Sequence, residues 1–164
     1  MGINFKNLFS SQKNKSTMGD YQSLDHIDGV AISTVSANLY GNSRDDLVIF
    51  YFRDGANHAS AYTQSTIVSE NIKWNKNQRN EKVYSLVVNT RNANAFTGAK
   101  GYQSMQKLAE LISLKLTEKQ KEDDNNPITI LSEQILFGCT GTIGETFPYE
   151  KIKRNIPKLL DQIK

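Results

Sequence analysis

Two stretches of the sequence carry residue types that could do chemistry. The first is GCTGTIGE, Gly138 to Glu145. Glycines at 138, 141 and 144 let the main chain approach a ligand closely, and amide hydrogens exposed at such a bend can gather around a negative oxygen. The spacing is not G-x-G-x-x-G and no G-K-[ST] follows, so neither a dinucleotide nor a Walker-type phosphate site is indicated. An anion or oxyanion loop is the chemistry this pattern supports, with a plain glycine turn as the structural alternative.

The second stretch is NTRNANAFTG, Asn89 to Gly98. Asn89, Asn92 and Asn94, followed by Thr97-Gly98, can turn their amides back onto the local backbone or outward onto a polar ligand. Cys139 opens a third route: a cysteine hydrolase with Cys139 as nucleophile, His58 or His26 as base and Asn92 as orienter. Such triads are spatial, so spacing does not exclude one, but a lone cysteine beside glycine is more often a small packed residue. His58, in the loop GANHAS, and His26 lack metal-ligand spacing and read as exposed loop histidines, so no metal is implied.

These stretches must be held by the elements around them. Gly29 to Ser33 and Leu47 to Phe52 read as adjacent strands separated by the turn Gly41-Asn42-Ser43. Ser60 to Val68 continues in β-favouring types, and Asn71 to Asn80, crowded with Asn and Lys around Trp74, reads as a polar excursion. Val83 to Asn89 (VYSLVVN) is short, β-branched and bounded by polar sequence, which predicts a buried strand ending on the Asn-rich stretch. Met105, Leu108, Ala109, Ile112 and Leu116 then recur at helical spacing, predicting an amphipathic helix over Tyr102 to about Lys119, with Gly101 just before it.

Lys119 to Pro127 reads as a charged, solvated loop. Ile128 to Leu131 and Gln134 to Phe137 are again of β type, which sets the glycine-bearing stretch at a strand end. A second helical stripe runs through Ile152, Ile156, Leu159, Leu160 and Ile163, with Pro157 near a helix start or at a kink. Tyr51, Phe52 and Tyr84 alternate with apolar neighbours as core residues do. The sum is an α+β fold, a mixed α/β layered sandwich.

A chain of 164 residues is one domain by length, and as a free globule would bury roughly 70% of the surface its unfolded form exposes. Residues 1–24 read as a poorly ordered lead-in and 25–164 as the domain. A hydrophobic share of 38% and a charged share of 23% describe a polar, soluble domain. The formal charge of +3 is too small, and the basic residues too dispersed, to indicate nucleic acid. The apolar runs are far shorter than a membrane span needs. Gly2 is a weak myristoylation cue because the sixth position is Lys6. With a single cysteine no internal disulfide can form, and a cytoplasmic setting is the expectation.

Taken together, NTRNANAFTG before GYQSMQKLAELI, and then ILFGCTGTIGETFPYEKI, resemble the paired motifs of the glutamate N-acetyltransferase/ornithine acetyltransferase family of arginine biosynthesis. The likeness extends upstream through GVAISTVSANLYGNSRDDLVIFYF and the AYTQS segment, over about Gly29 to Ile156, and corresponds to the N-terminal, alpha part of that family. Four positions depart from it: Thr90-Arg91 stand where the family usually has Ser-Gly, Cys139 where it has serine, and Ser65 where Asn follows Gln64. A long cation at position 91 would crowd the turn if positive φ is needed there.

The resemblance implies transfer of an acetyl group from N-acetylornithine to glutamate, with acetyl-CoA as donor in some members and no cofactor. It implies an acetyl-enzyme on a threonine that self-cleavage exposes at the start of a beta chain. That nucleophile is not in this chain, which would lack the C-terminal end of the alpha part and all of the beta part. Thr140 and Gly141 match the family's oxyanion-stabilising pair, and no substrate-binding residue is assigned. Partners would be the beta chain of the same precursor, in a heterotetramer of two alpha and two beta chains, and the small-molecule substrates. By itself the chain would be inactive; a fragment serving as a small-molecule-binding or assembly module is the alternative.

Overall fold

Alternating apolar residues build a four-stranded sheet whose inner face is closed by helices. The computed structural model describes residues 27–78, 81–123 and 127–163. In chain order the elements are β1 (Val30–Val35), β2 (Leu47–Asn57), α1 (Glu70–Asn77), β3 (Lys82–Asn89), α2 (Gly98–Asp123), a 3-10 turn (Ser132–Gln134), β4 (Ile135–Cys139) and α3 (Tyr149–Asp161). The sheet order is β1-β2-β3-β4, antiparallel for the first two pairs and parallel for β3 with β4. Mixed layers of sheet and helix are the architecture expected from the sequence. The lead-in and His26 lie outside the described residues.

Strand register fixes which residues face inward. Val35, Leu47, Asn89 and Cys139 are aligned across the sheet, as are Ser33, Ile49, Val87 and Phe137. With Tyr51, Ser85 and Ile135 they form the inner face, packed on Met105, Leu108, Ile112 and Leu116 of α2 and Ile152, Ile156 and Leu159 of α3. The opposite face carries Ile32, Val48, Phe50, Phe52, Leu86, Val88 and Leu136, none of which belongs to the core cluster. Ile32 is 58% exposed. Phe52 is therefore an outer-face residue, whereas Tyr51 and Tyr84 are core residues as expected.

The polar excursion around Trp74 is a helix, and its reason is tertiary. Asn75 pairs with β4 as a neighbouring strand would: Nδ2 donates to the Phe137 carbonyl (2.9 Å) and Oδ1 accepts the Phe137 N–H (3.0 Å). Trp74 Nε1 donates to the Ile135 carbonyl (2.8 Å). Helix α1 thereby covers an edge that would otherwise present unpaired backbone groups. Residues 79 and 80 lie outside the described residues.

Other boundaries differ from the sequence reading for similar reasons. Ser60 to Val68 forms no strand, because its hydroxyls bond their own backbone: Ser65 N–H donates to Thr63 Oγ1 and Ile67 N–H to Ser65 Oγ. Ile128 to Leu131 is also not a strand; Ile130 N–H donates instead to Thr117 Oγ1 of α2 (2.9 Å). Strand β2 runs on past Phe52 to Asn57 through a bulge after Tyr51. Helix α2 begins at Gly98, so Gly101 lies inside it, and it continues past Lys119 to Asp123. Buried Gln120 explains the extension: its Nε2 donates to Tyr51 Oη and to the Arg53 carbonyl, both at 2.7 Å. Residues 124–126 of the charged run lie outside the described residues. Pro157 sits in the body of α3 on its exposed side, with the Lys153 carbonyl, deprived of its helical donor, at an exposed residue.

Candidate functional site

Because β3 and β4 run parallel, the two stretches that follow them leave the sheet at the same end. Asn89 is level with Cys139, and the chains then continue side by side. Thr140 N–H donates to the Asn89 carbonyl (3.1 Å), Thr142 N–H to Arg91 (2.9 Å), Ala93 N–H to Thr142 (3.0 Å) and Gly144 N–H to Ala95 (2.9 Å). The Asn-rich and glycine-bearing stretches are one stitched unit, not two separate turns.

The Asn-rich loop is compact because its residues take left-handed backbone. Arg91, Asn94 and Phe96 have φ of 76°, 49° and 58°, and Gly98 62°. Asparagine tolerates that region better than most residues. The three amides turn inward. Asn89 Nδ2 donates to the Asn92 carbonyl (2.9 Å), and Asn92 Oδ1 accepts the Asn94 N–H (2.8 Å). Asn92 Nδ2 crosses to the carbonyls of Glu145 (3.1 Å) and Thr146 (3.3 Å). Asn94, fully buried, accepts the Thr97 hydroxyl on Oδ1 (2.7 Å). These asparagines are scaffold, and the ligand-facing reading of them does not hold.

Glycine is required at 141. Its φ is +133°, and an added Cβ would meet the Arg91 carbonyl group and the Asn92 nitrogen. Thr140 and Gly141 are both exposed. The Thr140 hydroxyl and the Gly141 N–H are bonded to no other group among the described residues. Two neighbouring donors are thus free at a bend whose backbone is fixed on the other side.

Position 91 does need positive φ, and the arginine occupies it without crowding the turn. Its side chain reaches over the seam, placing Nη1 2.7 Å from Glu145 Oε2 and Nη2 3.1 Å from Glu145 Oε1. Nη1 also donates to Thr142 Oγ1 (2.6 Å). The hydrogen bond to Glu145, then its charge, raises the guanidinium pKa.

Among the described residues no cysteine hydrolase is assembled. His58 follows the end of β2 that is level with Lys82, seven residues from the Asn89–Cys139 level, so it stands roughly 23 Å from Cys139 along the sheet. The Asn92 amide is engaged elsewhere. Cys139 packs against the core, and burial pushes its thiol up to about 12. A raised folded value means that the thiol's contribution to stability is intact below pH 9.0, the unfolded value, and is lost as pH climbs toward about 12. Iodoacetamide at pH 8 is expected to modify Cys139 at least 10-fold more slowly in the native chain than in urea, as read by mass spectrometry. Equal rates would mean an accessible thiolate.

Sequence reasoning missed Asp46. It is 2% exposed, and its carboxylate accepts the N–H groups of Ala37 (2.6 Å) and Leu39 (2.7 Å), while its carbonyl accepts the Thr90 N–H (2.9 Å). An acidic residue directly before the apolar LVIFYF run was the available signal.

Comparison with known proteins bears on the fold and the family. The bifunctional arginine biosynthesis protein ArgJ of Caulobacter vibrioides is 26% identical over 148 residues, 88% of this chain and 34% of that protein. The ArgJ protein of Brucella suis biovar 1 is 32% identical over 126 residues, 76% of this chain and 28% of the relative. The chain spans about a third of the length of these curated relatives. Among solved structures, the ornithine acetyltransferase of Mycobacterium tuberculosis, determined with ornithine, superposes with a TM-score of 0.73 at 17% identity. That match covers 84% of this chain and 68% of the other. ArgJ of Bacillus halodurans gives 0.65 at 21% identity, covering 79% and 62%. The superpositions show a shared fold, the ArgJ family model matches residues 31–164, and the chain belongs to the ArgJ family.

Proposed function

We propose that this chain is the alpha part of an acetyltransferase of arginine biosynthesis, acting in the cytoplasm, that moves an acetyl group from N-acetylornithine to glutamate, with acetyl-CoA as a further donor. The observation that carries the reading is the pair of uncommitted donors, the Thr140 hydroxyl and the Gly141 N–H, on a bend held from behind by the Asn-rich loop. A hydroxyl nucleophile attacking the acetyl carbonyl converts its oxygen to an oxyanion. Donors fixed beforehand around that oxygen stabilise the transition state without reorganising. Collapse expels the ornithine amine and leaves an acetyl ester; the glutamate amine then attacks that ester and regenerates the hydroxyl. The threonine nucleophile belongs to the beta part, paired with this one in a heterotetramer of two alpha and two beta chains.

Two features support a need for the rest of the protein. Hollows of about 240 Å³ and 150 Å³ flank the loops, and neither has Thr140 or Gly141 in its wall, so the free donors face no pocket of their own there. The outer sheet face carries seven apolar residues outside the core, a surface suited to burial under another layer. The same face would serve a catalytically inactive assembly module, so activity decides between the readings.

The chain by itself is expected to show no turnover with N-acetylornithine and glutamate, and to gain it when joined to the segment that carries the threonine. In that active assembly Thr140→Ala should lower kcat about 10²–10³-fold. Unchanged turnover in the variant would remove Thr140 from the oxyanion role, and turnover by the chain with no partner would overturn the division of the site.

A further inference from the structure

We propose that Arg91 is a positioning residue whose guanidinium, clamped on Glu145 and Thr142, holds the seam between the two loops closed and thereby fixes the orientation of the Gly141 amide. The oxyanion part of this statement rests on the function proposed above; the clamp itself rests on geometry.

Arg91 contributes to the seam twice. Its carbonyl accepts the Thr142 N–H and lies against Gly141, so it is the surface that leaves position 141 no room for a side chain. Its guanidinium then passes over the same seam to grip Glu145 through both nitrogens and Thr142 through its hydroxyl. Backbone and side chain of one residue therefore bracket Gly141, Thr142 and Glu145. A residue with φ of 76° has a strained backbone unless it is glycine. Bidentate, charge-assisted bonds can hold an arginine in that region, and the planar fork that makes them is specific to arginine.

Bulk stability is not the purpose this geometry serves. The pair is solvent-facing, with side chains 36% and 46% exposed, and exposed ion pairs contribute little to global folding. Its leverage is local: it spans 54 residues of sequence and joins the only two loops that bear on Thr140 and Gly141 among the described residues.

The test begins with the chain itself. Glu145→Gln keeps Arg91 and its backbone strain but removes the charge, and the swap Arg91→Glu with Glu145→Arg restores opposite charges. In Glu145→Gln, amide exchange of Thr142 and Ala93 is expected to quicken at least 5-fold, with added nanosecond motion at Gly141 by 15N relaxation. Core amides of Ile49 and Val87 should be unchanged. The swap should recover most of the protection, and Arg91→Lys should not, because an ammonium lacks the rigid two-nitrogen fork that grips the carboxylate and Thr142 together. In the assembled acetyltransferase, Glu145→Gln should lower kcat about 10-fold with KM for N-acetylornithine within 2-fold. Loop amides insensitive to Glu145→Gln, or a swap that recovers nothing, would overturn the clamp. If the wild-type assembly never transfers acetyl while the loop amides respond as expected, the clamp stands and the functional reading falls.

Discussion

The Gly141→Ala chain is expected to be about 2–5 kcal/mol less stable than the parent, out of a total that for most domains is about 5–15 kcal/mol. Two terms add. The φ of +133° lies where a side chain strains the backbone, and the methyl group would run into the Arg91 carbonyl, pinned by its bond from the Thr142 N–H, and into the neighbouring Asn92 backbone nitrogen. Gly144 provides the control. Its φ of +82° imposes a conformational penalty, yet a Cβ there meets nothing within 4 Å. Gly144→Ala should therefore cost only about 1–2 kcal/mol. Urea unfolding followed by far-ultraviolet circular dichroism compares the two directly. Equal losses would mean that the loops part freely at position 141, and that the close approach of Arg91 to Gly141 does not constrain the donors.

The difference between these two glycines shows what the sequence could and could not convey. That Gly138 to Glu145 forms a strand-end loop was readable, because ILFG is β-type and ends in glycine. The same holds for Asn89 to Gly98 after VYSLVVN. Their adjacency was not readable, since it depends on β3 and β4 being parallel neighbours, a choice made by the long crossing of α2 over the inner face. Without that register, Arg91 is only an unusual residue and Glu145 only the end of a motif. The resemblance to acetyltransferases pointed to Thr140 and Gly141 as the proposed donor pair, but not to the reason why Gly141 must be glycine.

Helix α1 failed to show for a related reason. ENIKWNKN has poor intrinsic helix preference, with three asparagines in eight residues. What selects the helix is an edge strand 62 residues further on, whose Phe137 peptide the Asn75 amide completes. Gln120 extends α2 through contacts made to β2, equally remote in sequence. In each case a polar side chain supplies a long-range hydrogen bond that no local pattern encodes, whereas the apolar stripes of α2 and α3 announce themselves through spacing.

Asp46 is the polar residue whose removal should matter most. Asp46→Ala is expected to destabilise the chain by about 2–6 kcal/mol, because it strands two buried N–H groups, those of Ala37 and Leu39, at about 1–3 kcal/mol each. Water cannot readily replace the carboxylate at a residue that is only 2% exposed. The effect should reach the candidate site, since the Asp46 carbonyl holds the Thr90 N–H at the entrance to the Asn-rich loop, and the loop it gathers is tied to α3 by Lys151 Nζ on the Asn38 carbonyl (2.9 Å). Asp46→Asn separates charge from shape. It keeps one acceptor and turns an NH2 group toward the second N–H, so its loss should fall between those of parent and alanine variant. Urea midpoints give the order, and hydrogen exchange at Leu39 and Thr90 gives the location. An alanine variant within about 1 kcal/mol of the parent would mean that both N–H groups find other acceptors, and that the entrance to the Asn-rich loop is held by the backbone bond to Thr90 without help from the carboxylate.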